Sequence, residues 1–292
     1  MSHWIVTTIG IFASGLQMAM NINIFYRDLI QSPAWTKHDF RFIIFRTFLD
    51  ILQGFASLTL YSFTIFYVLY PDLISYNYIF VSGLILTNIT IIRSFLAAGI
   101  AVERCIASCF PVQFFQHRQK IPNTPLVLFF IFTAFFDDFM LFHLSGLTFP
   151  LNSANCATYL CALPQKYWKL AAIYSAVYGF INYIFSFILC FKLLSMYFRK
   201  LHYSADLKKV NLLCLTDGLS SIIFDLIPAI LFQTKTINVE NDGPVTGVLR
   251  TIGRVLEAMV MYKLMKKKIR SPNSNSMLTR TTLKERTTTR HK

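Results

Sequence analysis

Long apolar runs, separated by short polar segments, dominate the sequence. A helix needs about 20 mostly apolar residues to cross the hydrocarbon core of a bilayer. These runs are too long and continuous for the alternating strands of about ten residues that build a membrane barrel. The pattern therefore predicts seven membrane-spanning helices, numbered here as spans one to seven: 4–26, 43–70, 76–102, 126–149, 168–198, 211–232 and 245–265.

Span seven has the weakest apolar pattern of the seven. It contains Arg250, Arg254 and Glu257 as well as two glycines. A surface helix or a re-entrant segment is the alternative interpretation. The position of the segment before a basic tail favours a span whose charged residues face the interior of the bundle.

The composition excludes a soluble fold. The chain is 54% hydrophobic and only 14% charged, whereas a soluble domain is about 25% charged. Its 29 Phe and 14 Tyr also exclude a disordered chain. The fold class predicted is an all-α integral membrane protein, a seven-transmembrane helix bundle. We expect residues 1–266 to form the bundle and residues 267–292, which are basic and rich in Ser and Thr, to form a disordered tail.

The net charge of +14 suggests nucleic acid as a partner until the basic residues are placed on the chain. Connections one, three and five together with the tail hold 21 Lys and Arg, against three in the remaining connections. Basic residues in short loops mark the cytoplasmic side. We therefore predict the N-terminus outside, the C-terminus in the cytoplasm, anionic membrane lipid beside the tail, and no nucleic-acid partner.

Charged residues also occur inside the predicted spans, where they are costly and usually pair with one another. Arg46 and Asp50 are four residues apart and share a helix face. Arg93 has no partner within one turn and must find one on another span. Three roles remain open: a network that fixes packing, a switch between two pairings, or a proton or ion path. The predicted intramembrane network comprises Arg46, Asp50, Arg93, Asp137, Asp138, Asp217, Asp225, Arg254 and Glu257.

Two of the six cysteines, Cys156 and Cys161, lie in the predicted extracellular loop between spans four and five. Since that side is oxidising, we predict a disulfide between them. No cysteine occurs between Pro71 and Phe95, so this loop has no disulfide to the outer part of span three. No histidine joins the cysteines at metal-binding spacing, and we predict no metal and no cofactor.

The cytoplasmic end of span three carries Glu103-Arg104 and then Pro111. This arrangement resembles the seven-helix G-protein-coupled receptors. The resemblance implies that Glu103 restrains Arg104 in the inactive receptor and that Arg104 helps to receive the G protein on activation. Span seven lacks the Asn-Pro-x-x-Tyr motif and span six has Leu226 two residues before Pro228 instead of Trp, so the activation relay of the rhodopsin-like receptors is not expected.

A longer series of motifs is similar to the nematode serpentine chemoreceptors, and most closely to class BC. The series comprises Phe45-Arg46-Thr47-Phe48-Leu49-Asp50, the block from Arg93 to Pro122, Asp137-Asp138, the paired loop cysteines, Asp217, Asp225-Leu226-Ile227-Pro228 and Glu257-Ala258. The resemblance covers nearly the whole chain up to about Lys266. It implies a chemosensory receptor in the plasma membrane of a sensory neuron, which binds a small external ligand and signals through a heterotrimeric G protein.

Small ligands of such receptors bind among the outer halves of the spans, where pockets form between helices. The candidate contacts are His143, Tyr174, Tyr178, Asp225 and Arg250. The alternatives are a ligand-gated chemosensory ion channel, for which the opposite orientation is expected, and a small-solute transporter, which the odd number of spans disfavours. Catalytic motifs such as Gly-x-Ser-x-Gly and His-Glu-x-x-His do not occur, so we predict that the protein is not an enzyme.

Overall fold

Helices make up nearly all of the chain that the computed structural model describes, namely residues 2–30, 41–118, 124–147, 158–198, 205–233 and 244–266. Three helices continue in π-helical turns: Ile24–Ile30 follows α1, Met140–Leu144 follows α5, and Ile222–Leu226 joins α7 to α8. A short 3₁₀ turn, Tyr159–Ala162, precedes α6. The α-helices are α1 (Ser2–Asn23), α2 (Arg41–Leu69), α3 (Tyr76–Cys109), α4 (Pro111–Arg118), α5 (Thr124–Phe139), α6 (Gln165–Phe198), α7 (Ala205–Ser221), α8 (Ile227–Gln233) and α9 (Val245–Lys266).

Local sequence signals explain where the helices begin and end. α2 ends two residues before Pro71, as expected because a proline disfavours helical backbone in the residue before it. Ser75 caps α3, since its hydroxyl accepts a hydrogen bond from the Asn77 N–H. Pro111 opens α4 at the first helical position, where its missing N–H costs nothing. α3 therefore runs to Cys109, seven residues beyond the predicted end of span three, and carries Glu103 and Arg104 within the helix.

Span six is interrupted by the π-helical turn before Pro228. Proline lacks an N–H and its ring collides with the carbonyl four residues earlier, here that of Phe224. The wider turn over Ile222–Leu226 accommodates this conflict and changes the direction in which the following side chains point. Among these side chains is Asp225, which the turn aims at α9.

α3 lies at the centre of the bundle, in contact with α2, α5, α6 and α7. α1 closes the opposite side by packing against α2 and α9. The apolar core around α3 draws one or two residues from each neighbour: Phe42, Leu49, Leu96, Ile100, Ala101, Phe130, Leu189 and Cys214. Phenylalanines on the outer faces of α5 and α6 remain exposed, as expected for surfaces in contact with lipid.

Within the described residues, four helical segments are long and apolar enough to cross a membrane: Trp4–Arg27, Arg41–Leu69, Tyr76–Cys109 and Val127–Leu144. α6, α7 with α8, and α9 cover predicted spans five, six and seven. α9 packs inside the bundle against α1 and α7, so the alternative of a surface helix for span seven is wrong. The all-α membrane bundle predicted from the sequence is confirmed. The predicted tail, residues 267–292, lies outside the described residues.

Candidate functional site

Eight charged side chains from α2, α3, α7, α9 and the π-helical turn meet inside the bundle. Four are arginines and four are carboxylates, so the formal charge of the group is zero. We call this group the ion cluster. Its members are Arg46, Asp50, Arg93, Asp217, Asp225, Arg250, Arg254 and Glu257.

Arg93 of α3 occupies the centre of the ion cluster and is 1% exposed. Its Nε donates to Oδ1 of Asp50 at 2.5 Å. Its Nη2 donates to Oδ1 of Asp217 at 3.2 Å and also to Glu257. The partner that the sequence required on another span is thus supplied by three helices at once.

Arg46 joins α2 to the same carboxylates. Its Nη2 donates to Asp217 at 2.9 Å and to Glu257 at 2.6 Å. The pair expected from helix spacing, Arg46 with Asp50, is the loosest of these contacts at 3.8 Å. Because Asp50 is held by Arg93, Arg46 reaches across the bundle instead of along its own helix.

The other end of the ion cluster is built on α9 and the π-helical turn. Arg254 donates to Glu257 at 2.7 Å and to Asp225 at 3.1 Å. Arg250 donates to Asp225 at 2.7 Å, and its side chain is 38% exposed. The ion cluster therefore runs from a fully buried centre to a partly exposed end, which lies on the side predicted to be extracellular.

A glycine permits the close approach of the π-helical turn to α9. A Cβ atom placed on Gly253 would lie 2.7 Å from Cγ of Phe224, closer than real Cβ contacts. Any larger residue at this position would push the turn, with its neighbour Asp225, away from Arg250 and Arg254. Gly253 is thus part of what positions the exposed end of the ion cluster.

The ion cluster is a stiff joint between four spans rather than a ligand pocket. Burying a charge is affordable only when it is paired and hydrogen-bonded, so loss of one partner leaves an uncompensated charge. The cavity beside it, lined by Asn21, Arg46, Asp50, Thr216 and Glu257 among others, has a volume of about 10 Å³. That space holds about one water molecule and no organic ligand.

Two residues of the predicted intramembrane network, Asp137 and Asp138, lie elsewhere. Asp137 accepts a hydrogen bond of 2.7 Å from the Tyr167 hydroxyl of α6. Asp138 accepts two hydrogen bonds, of 2.9 and 3.1 Å, from the Asn88 amide of α3. The expectation that either would pair with Arg93 is wrong for the described structure, because α5 presents both carboxylates to neutral donors.

Glu103 and Arg104 lie near the end of α3 that is predicted to be cytoplasmic, away from the ion cluster. Arg104 is 2% exposed, and its Nη2 lies 3.6 Å from Oε2 of Glu103. Adjacent residues on a helix point about 100° apart, so this pair folds back along the helix surface. The arrangement is the restrained pair that the resemblance implies for these residues.

The remaining candidate residues are dispersed. His143 is exposed and packs on Phe139, with ring centroids 4.9 Å apart, so it does not face the ion cluster. Tyr174 and Tyr178 lie in α6, but their side chains are outside the part of the chain that the structure describes. Of the predicted ligand contacts, only Asp225 and Arg250 are brought together.

Cys161 is disulfide-bonded, and its predicted partner Cys156 lies outside the described residues. Cys105, Cys109, Cys190 and Cys214 are free. The pairing of Cys156 with Cys161 therefore stays a prediction.

The sequence model described as "Serpentine type 7TM GPCR chemoreceptor Srbc" matches residues 1–269. The chain belongs to the Srbc family. The resemblance to a nematode serpentine receptor is thereby confirmed, and with it a multi-pass membrane protein of the chemoreceptor class. No curated protein matches the chain.

Several residues that shape this Srbc receptor carry no signal in the sequence. Tyr167 and Asn88 are the partners of Asp137 and Asp138, yet a tyrosine at a span end is typical of the aromatic belt and an asparagine within a span has no spacing rule. Tyr159 and Gly83, which pack against each other, are far apart in the chain. Such pairs emerge only when the rotation of each helix in the bundle is known.

Proposed function

We propose that this Srbc chemoreceptor binds a small external chemical ligand and activates a heterotrimeric G protein from the plasma membrane of a sensory neuron. The observation that carries the proposal is the position of α3. This helix holds Arg93 at the centre of the ion cluster and Arg104 near its predicted cytoplasmic end. A shift of α3 at the cluster therefore changes the surface offered to the G protein.

The proposed ligand site lies at the outer ends of the spans, next to Asp225 and Arg250. This pair is the most accessible part of the ion cluster and connects through Arg254 to Glu257. A ligand that contacts the pair more favourably in one arrangement of the spans shifts the population toward that arrangement, by as much as its affinities for the two differ. His143, Tyr174 and Tyr178 remain proposed contacts of lower weight.

Within the proposal, Glu103 holds Arg104 until the spans rearrange. Arg104→Ala is expected to abolish G-protein activation while the receptor still reaches the cell surface. The assay is G-protein dissociation in transfected cells exposed to candidate chemicals, with surface staining in parallel. Arg118→Ala, which removes a basic residue from the same predicted cytoplasmic region, is the matched control. Normal activation by Arg104→Ala would contradict the role assigned to this residue.

Orientation tests the proposal against the alternative of a channel. One epitope is placed at the N-terminus and another after Lys292, and unpermeabilised cells are stained. Staining of the N-terminal epitope alone supports the receptor, with the basic tail beside the anionic inner leaflet. Staining of the C-terminal epitope alone contradicts it and supports a ligand-gated channel, for which electrophysiology is the appropriate assay.

A further inference from the structure

The segment that leads into α6 lies directly on the predicted outer end of α3. The Tyr76 hydroxyl at the start of α3 donates a hydrogen bond of 2.7 Å to the Thr158 carbonyl, and both residues are buried. Tyr159 is 7% exposed and packs on Phe80, with ring centroids 5.4 Å apart. A loop residue this deeply buried contributes to the core and does not simply cover it.

The ring of Tyr159 fits against α3 because position 83 is glycine. A Cβ atom at Gly83 would lie 2.3 Å from Cγ and 2.4 Å from Cδ2 of Tyr159. No side chain tolerates such distances, so even alanine would expel the ring or shift the loop. Gly83 thus forms a notch in the surface of α3, and Tyr159 occupies it.

The same segment is tied on its other sides as well. Tyr167, in the first turns of α6, donates to Asp137 of α5 at 2.7 Å. Leu141 and Leu163 pack with Tyr159, Tyr167 and Phe80 in one buried cluster. Within the segment, the Thr158 hydroxyl lies 3.2 Å from Sγ of the disulfide-bonded Cys161. Three helices and a cross-linked loop therefore meet at Tyr159.

The outer part of α3 offers no covalent alternative, since no cysteine occurs between Pro71 and Phe95. We propose that Tyr159, seated in the Gly83 notch, is the residue that fixes the loop before α6 to α3, in place of a covalent cross-link. Residues 158–164 then form a fixed cover over the outer ends of α3, α5 and α6. This inference does not depend on G-protein coupling or on any ligand.

The cover is rigidly connected to the ion cluster. Gly83 and Arg93 lie ten residues apart on the same helix, about 15 Å along its axis. Whatever displaces the loop from the notch therefore acts on the helix that holds the centre of the ion cluster. Any ligand route into the bundle past this loop requires Tyr159 to leave its notch.

A double-mutant cycle on the full-length receptor in detergent tests the fit. Tyr159→Ala and Gly83→Ala are each expected to lower the midpoint of thermal unfolding by about 5 °C or more. In Tyr159→Ala/Gly83→Ala, the added methyl group meets empty space and alanine favours the helix. The double variant should therefore be no less stable than Tyr159→Ala alone. Losses that simply add would overturn the proposal.

Hydrogen exchange separates fixing the loop from general packing. Tyr159→Ala should speed amide exchange in residues 158–164 and leave α7 to α9 unchanged. Tyr159→Phe should behave as the wild type, because the ring fills the notch. The matched control is Tyr78→Ala, which removes a 59% exposed tyrosine from the same end of α3. Unchanged exchange in residues 158–164, or a uniform increase along the chain, would overturn the proposal.

A cross-link provides a test that survives if Tyr159→Ala fails to fold. Cβ of Tyr159 lies 2.6 Å from the Cβ position of residue 83, so a separation of about 1 Å brings the pair to disulfide geometry. Gly83→Cys/Tyr159→Cys is expected to yield an 83–159 cross-linked peptide in non-reducing mass spectrometry. The oxidised protein should be more stable than the same protein reduced. Absence of this peptide would overturn the proposal.

Discussion

Two groups of carboxylates lie at membrane depth in this receptor, and they are satisfied in different ways. Asp50, Asp217 and Glu257 each contact at least one arginine that is almost fully buried. Asp137 and Asp138 accept hydrogen bonds from a tyrosine hydroxyl and an asparagine amide. A carboxylate of the first group cannot lose its charge without leaving a cation unpaired, whereas one of the second group has no cation to abandon. We therefore expect charge changes to be severe in the first group and mild in the second.

α3 separates the two groups. Arg93 and Asn88 are five residues apart, which places them about 140° from each other around the helix. One face of α3 meets α2, α7 and α9 through the arginine, and the other meets α5 through the amide. The ion cluster thus links only one side of the bundle, and the opposite side is held by aromatic packing and neutral hydrogen bonds.

The largest effect is expected from Arg93→Met, which keeps the length of the side chain and removes its charge. The ion cluster would be left with one carboxylate in excess, at a cost of about 3–5 kcal/mol. Surface staining in transfected cells and the thermal midpoint of the purified protein measure the loss. Lys263→Met, which removes an exposed charge from the end of α9, is the control. Equal effects of the two variants would remove the distinction between the groups.

A balanced removal sharpens the same comparison. In Arg93→Met/Asp50→Asn, three arginines face three carboxylates, and the formal charge of the ion cluster returns to zero. We expect the double variant to regain about 2 kcal/mol relative to Arg93→Met alone. The measurement is again the thermal midpoint, with Asp50→Asn as the third corner of the cycle. If the double variant is less stable than Arg93→Met, hydrogen bonding of Asp50 matters more than charge balance.

The charged side of this comparison could largely be predicted from spacing, and the neutral side could not. Arg250, Arg254 and Glu257 recur at intervals of four and three, so they lie on one face of α9 whatever the fold. Arg93 lacked a partner on its own helix, which required one elsewhere. Which carboxylate it would find was beyond the pattern, because its partners are 43, 124 and 164 residues away.

Asp137 and Asp138 show why spacing fails on the other side. Their adjacency fixes that they point in different directions, but the rotation of α5 against α3 and α6 decides which neighbours they meet. The Gly83 notch is less visible still, since a glycine within an apolar span gives no periodic signal. The number of spans and the charged faces follow from one-dimensional patterns, whereas the contacts of single neutral residues depend on how the helices are rotated in the bundle.

A moderate effect is expected from Asp137→Asn. The amide oxygen can still accept the hydrogen bond from Tyr167, so the variant should lose about 1 kcal/mol. Asp217→Asn makes the matched comparison in the ion cluster, where it leaves an arginine in excess and should cost several times more. Thermal midpoints of the two purified variants provide the measurement. A loss for Asp137→Asn as large as that for Asp217→Asn would show that both groups depend on charge.

The smallest effect on stability is expected from Arg250→Gln, although it also removes a charge from the ion cluster. Asp225 keeps Arg254 as a partner, and the Arg250 side chain is 38% exposed, so the lost pair is worth about 0–1 kcal/mol. Arg254→Gln removes the neighbouring arginine one turn along the helix, which is 3% exposed, and should cost far more. If thermal midpoints rank the two variants in this order, Arg250 is the one arginine of the described ion cluster that can change partners at little cost, as the proposed ligand site requires. The reverse order would place the rigid part of the ion cluster at its outer end, and the ligand site would have to lie elsewhere.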